Sequence, residues 1–104
     1  MLEAAMSRAG VMVRLTAERW MHIVEEHSEL AGLRQEVLQT IAGAELVHEG
    51  VHGELLASRR LESGIALVVV YRETSKADGF IITAFLTRRP DRLARRPQKW
   101  PPPT

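Results

Sequence analysis

The chain has 104 residues, no cysteine, and 14 Lys+Arg against 13 Asp+Glu, for a formal charge of +1. That length holds one domain core and leaves no room for a second. The absence of cysteine excludes a disulfide scaffold, a thiol nucleophile and any thiolate-ligated metal.

Residues 1–10 have weak periodicity and are expected to precede the domain as an N-terminal extension. Their sequence, MLEAAMSRAG, has no apolar stretch of the secretory kind, so a cytoplasmic protein is expected. Val11–Leu15 (V-M-V-R-L) reads as a short strand. Thr16 then offers an N-cap oxygen, with Leu15 and Trp20 at the two positions of a hydrophobic staple. Trp20, Ile23, Val24 and His27 follow at i, i+3, i+4 and i+7, which predicts a helix from Ala17 to His27. Its other face is Glu18, His22, Glu25 and Glu26. Ser28–Gly32 reads as a turn. Leu33, Val37, Leu38 and Ile41 repeat the helical spacing and Gly43 suits a C-terminal cap, so a second helix is predicted over Leu33–Ala42.

After Gly43 the period changes. Glu45–Glu49, Glu54–Leu61, Ile65–Arg72 and Phe80–Thr87 are rich in β-branched and apolar residues and are joined by short glycine-containing links. This predicts an antiparallel meander whose last hairpin is closed by Asp78-Gly79. Ile65–Tyr71 is apolar on both parities and reads as a central strand covered on both faces. At seven residues it is the longest apolar run, well short of the roughly 20 that span a bilayer, so no membrane partner is expected. The fold class is α+β: two N-terminal helices packed on a four-stranded antiparallel sheet within residues 11–89, with the short Val11–Leu15 strand as an optional addition. Residues 90–104 form a basic, proline-rich tail, expected to be extended or disordered.

The near-zero net charge conceals an asymmetry. Residues 1–50 carry four arginines against eight glutamates (−4), and residues 51–104 carry ten Lys+Arg against five acids (+5). Most of the surplus is in Arg88–Lys99, which holds Arg88, Arg89, Arg92, Arg95, Arg96 and Lys99 against Asp91 alone. Such a run is either a solvated tail or a contact for a polyanion. On the second reading these five arginines, with Arg60, are the nucleic-acid-binding residues. Docking of the tail on an acidic helix of a second copy, giving a homodimer, is a further reading of the same pattern.

Phosphate-loop and G-x-S-x-G motifs are absent from the sequence. His22 and His27 are five apart, on different helix faces, whereas a helical metal pair needs i, i+4. His48 and His52 flank a glycine-containing turn and read as surface residues. No metal and no cofactor are expected. His27 ends the apolar stripe of its helix; it either complements the helix dipole or acts as a general acid/base. Strand alternation sends Arg59 and Arg60 to opposite faces. Tyr71, Thr83 and Thr87 interrupt the two most apolar strands, either through strand propensity or for chemistry. An imidazole, a guanidinium, a phenol and hydroxyls suit metal-independent phosphodiester cleavage, in which RNA supplies its own 2′-hydroxyl as nucleophile.

Four ordered segments carry a family resemblance: R-L-T-x-E-R-W-x-H-I-x-E-x-H at Arg14–His27, E-L-L-A-S-R at Glu54–Arg59, L-V-V-V-Y-R-E at Leu67–Glu73, and D-G-F-I-I-T-A-F at Asp78–Phe85. Together, over Val11–Arg89, they resemble the phage and bacterial barnase–EndoU–colicin–RelE-like superfamily of metal-independent RNases; BrnT-type toxins share the general pattern. The resemblance implies a helix–helix–four-strand nuclease domain cleaving RNA, as the toxin of a toxin–antitoxin pair or a phage-derived effector. An antitoxin protein would then be a partner. Carried over by position, it implies His27 as acid or base, Arg59 for transition-state charge, and Tyr71 and Thr83 to orient the phosphate. Ser28 stands where relatives commonly carry proline. Members without activity also occur, so a non-catalytic RNA- or protein-binding module is the alternative.

Overall fold

In the computed structural model, which describes residues 2–62 and 64–103, the Thr16 hydroxyl accepts the Arg19 backbone N–H at 3.0 Å. This caps helix α1 (Ala17–Glu26), which leads directly out of strand β2 (Met12–Thr16). The His27 N–H closes the helix on the Ile23 carbonyl. A 3-10 turn, Ser28–Leu30, reverses the chain into α2 (Arg34–Ala42). Four strands follow in consecutive antiparallel order: β3 (Leu46–Glu49), β4 (Leu55–Glu62), β5 (Ile65–Glu73) and β6 (Gly79–Thr87).

The expected four-stranded antiparallel sheet is not what the chain builds. It forms a mixed sheet of seven strands, while remaining α+β in class. Residues Leu2–Met6, expected outside the domain, form β1 and make a hairpin with β2 through a turn in which Gly10 takes φ 82°. Strand β2 pairs in parallel with β6 (Val13↔Gly79, Arg14↔Phe80), which makes the sheet mixed. The tail, expected to be extended or disordered, forms a 3-10 segment (Pro90–Arg95) and then strand β7 (Gln98–Trp100) on the free edge of β3. The strand order is β1-β2-β6-β5-β4-β3-β7. The reason is hydrogen-bond demand. The exposed edges of β2 and β3 present unpaired backbone groups, and the two termini supply partners. The Arg8 guanidinium stacks 5.1 Å over the Trp100 ring, tying one added segment to the other.

Gly79 is where three strands meet, opposite Val13 and Glu73. A Cβ there would lie 2.5 Å from the Arg72 carbonyl oxygen, so only glycine allows this approach.

One sheet face packs on both helices. Val13, Leu15, Ala57, Leu67, Val69, Tyr71 and Ile81 share a core there with Ile23 of α1 and Val37 and Ile41 of α2. The opposite, outer face carries no α-helix among the described residues. Among the described residues, no helix is long and apolar enough to cross a membrane.

Candidate nucleic-acid interface

Strand register sets which residues populate the outer face. Across β4, β5 and β6 it aligns Ser58 with Val68 and Phe85, and Leu56 with Val70 and Thr83. Arg60 pairs with Ala66, and Arg72 with Phe80, on the same face. Phe80, Thr83 and Phe85 are half-buried and Arg60 is exposed. At the Ala66 end the 3-10 segment stands over the sheet. Pro90 and Ala94 line, with Ala66, Ser58 and Arg60, a cleft of about 540 Å³. Ala66 and Val68 are buried although they lie outside the helix-side core.

The four residues expected to form a catalytic set divide between the two faces. Beyond Phe80, β6 has no strand on its β2 side among the described residues, and α1 occupies that edge, with Arg19 Nη1 donating to the Ile82 carbonyl at 3.4 Å. His27, at the end of α1, thereby reaches the outer face: its ring lies 6.4 Å from that of Phe85, on the strand face of Thr83. His27 is half-buried, with Nδ1 3.7 Å from Glu29 Oε2. Arg59 borders the cleft, but its guanidinium group points the other way. Its Nε donates to Thr40 Oγ1 and its Nη2 to the Glu36 carbonyl, both at 3.3 Å, so it fastens β4 to α2. Tyr71 is 2% exposed in the helix-side core. Burial, aided by the Glu73 charge, pushes its hydroxyl pKa up. Tyr71 pairs with Leu55, four residues along β4 from Arg59, a spacing of about 13 Å. His27 and Thr83 therefore come to one face, while Arg59 and Tyr71 stay on the other and apart.

The arginines expected to bind nucleic acid also divide. Arg89 makes a forked bond to Asp91 (3.2 Å to each oxygen). That bond raises the arginine pKa and lowers that of the carboxyl. Arg96 donates Nε to the Glu49 carbonyl at 3.0 Å and pins the tail to β3. Arg60, Arg88, Arg92 and Arg95 are exposed, and their guanidinium groups have no partner among the described residues.

His48 differs from expectation. Read as a surface residue, it is 3% exposed and lines the cleft beside Ser58, itself 5% exposed. Burial lowers its pKa below 6.5, which keeps the imidazole neutral at pH 7. Its Nδ1 is buried with no hydrogen-bond partner among the described residues. Alternation from the core residue Val47 already sends this side chain to the outer face. What buries it is the tail, whose return to β3 has no local signal. Among the described residues, no group of three or more His, Asp or Glu is placed to hold a metal.

The chain matches no family model, no curated protein and no solved structure with which it was compared.

Proposed function

We propose that the protein binds single-stranded RNA across the outer face of the sheet. The observation that carries this reading is the placing of two half-exposed phenylalanines, Phe80 and Phe85, on the same outer sheet face as Arg60 and Arg72. Unstacked bases lie flat on sheet aromatics regardless of sequence. Phosphates between them are neutralised by arginine, and the unpaired Arg88, Arg92 and Arg95 extend that charge past the end of β6. A duplex offers no exposed base faces to such a platform, so a single strand is the preferred form. The cytoplasmic location expected from the sequence belongs to this proposal.

Fluorescence anisotropy with a labelled oligouridylate tests it. Phe80→Ala and Phe85→Ala are each expected to weaken binding by about 1–3 kcal/mol, the worth of one stacked base. No binding at about 50 mM salt, where phosphate contacts are strong, or binding indifferent to both substitutions, overturns the proposal.

A second reading, metal-independent cleavage, is favoured by His27 standing over Phe85 on the face of Thr83. In it His27 accepts the 2′-hydroxyl proton, the 2′ oxygen attacks phosphorus to give a 2′,3′-cyclic phosphate, and the departing 5′ oxygen takes up a proton from solvent water. Cleavage in EDTA that is lost in His27→Ala, with RNA affinity retained, is the expected result. Intact RNA after incubation with the wild-type protein contradicts it.

A further inference from the structure

Stacking on Phe80 and Phe85 makes no use of the cleft beneath the 3-10 segment, whose lining has chemistry of its own. His48 pairs with Leu56 and Ser58 with Leu46, so the two are diagonal neighbours on one face, about 7–8 Å apart. The Nδ1 of His48 is sealed and has no partner among the described residues, while the residue itself lines the cleft. A neutral imidazole carries one N–H. With no acceptor beside Nδ1, that proton is best held on Nε2, where the cleft can receive it. His48 and Ser58 thus offer two donors side by side. Glu45 adds the complement. Its backbone N–H donates to the Ser58 carbonyl at 2.9 Å, and its Oε1 accepts the Arg60 N–H at 2.7 Å. Both bonds hold the carboxylate at the Ser58 end of the cleft, with Oε2 unpaired among the described residues. The arginine side chain of Arg60 brings positive charge to the same rim.

The geometry points to a nucleobase pocket: one base of the bound RNA, of the keto class (guanine or uracil), enters this cleft. Its carbonyl oxygen accepts from His48 Nε2–H and the Ser58 hydroxyl, its ring N–H donates to Glu45, and its phosphate lies against Arg60. Cytosine and adenine present an amino group where the keto base has oxygen, and a bare ring nitrogen where it has N–H. Both contacts are then reversed. The cleft's volume of about 540 Å³ falls within the range of small-ligand sites, about 300–1,000 Å³. The inference rests on the RNA-binding proposal and gives it base selectivity.

The test is an NMR titration of the wild-type protein with UMP, GMP, CMP, AMP and inorganic phosphate, following the His48 imidazole signals. UMP and GMP are expected to bind at least about tenfold more tightly than CMP and AMP. Ser58→Ala and Glu45→Gln are expected to erase most of that preference. Equal affinity for all four nucleotides, phosphate binding as well as UMP, or unmoved His48 signals each overturn the inference. Anisotropy with oligouridylate and oligocytidylate separates it from the broader proposal. Equal, phenylalanine-dependent binding of both oligomers leaves RNA binding standing and removes the pocket. UMP binding at His48 with no oligomer binding removes the RNA platform instead.

Discussion

His48 is a neutral imidazole enclosed between β3 and the returning tail, and unfolding restores its ordinary affinity for protons. Its folded pKa lies below 6.5 because burial penalises the charged form. Above 6.5 neither state is protonated and the packing contributes fully. As pH falls through 6.5 the unfolded chain takes up a proton that the native chain resists, so stability drops. Thermal unfolding of wild type and His48→Gln between about pH 7.5 and 5.5 is expected to show the smaller acid loss in the variant; equal losses contradict this placement. Arg59 is the opposite case, a charged residue whose work is structural. Arg59→Met is expected to cost about 1–2 kcal/mol in urea unfolding through its lost bonds to Thr40 and Glu36, with RNA affinity unchanged. A change in affinity at unchanged stability would return Arg59 to the binding site. At this scale the sequence was legible in parity: it separates Arg59 from Arg60 correctly. Which parity meets the helices depends on where α2 docks, and that is a tertiary fact.

At the level of elements, legibility follows the strength of local periodicity. The helices and the four central strands declare themselves through the stripe Trp20–Ile23–Val24, the capping residue Thr16 and glycine-bounded β-branched runs. Strands β1 (L-E-A-A-M) and β7 (Q-K-W) do not, because neither sequence alternates strongly and the first favours helix. Their pairing with β2 and β3 prevails over local preference. Glu3 helps to hold β1: Arg34 Nε lies 2.6 Å from Glu3 Oε1, both side chains about three-quarters buried, and Gln35 reaches the same carboxylate at 3.5 Å. Glu3→Ala leaves a largely buried arginine uncompensated. It is expected to speed amide exchange across Leu2–Met6 and cost about 1–3 kcal/mol; unchanged exchange there would show that β1 is held by other contacts. Gly79→Ala is expected to destabilise by about 1–3 kcal/mol, since the β5 backbone must move to admit a methyl group. A neutral effect in chemical denaturation would contradict the close approach to Arg72.

Across the whole molecule, the +1 net charge resolves into an acidic half, residues 1–50, which holds both α-helices, and a basic half, residues 51–104, which holds β4–β6 and the tail. The tail returns along β3, so its arginines stand beside the outer face rather than trailing from it. That placement joins the phenylalanines, the cleft and the cations into one surface. The charge asymmetry was legible in the sequence, but the shared face was not, because it depends on the β3–β7 pairing. Neutralising Arg92 and Arg95 together is expected to reduce the salt dependence of RNA affinity by a slope of about 2 in log–log form, about 1 per phosphate contact; an unchanged slope would leave the arm solvated. The most direct test of the RNA-binding face is an amide NMR titration of the wild-type protein with a short oligouridylate. Shifts are predicted at Ser58, Arg60, Phe80, Thr83, Phe85 and 88–96, with α1 before His27 and all of α2 unmoved. Shifts concentrated on the outward faces of the two helices, or none at all, would contradict it.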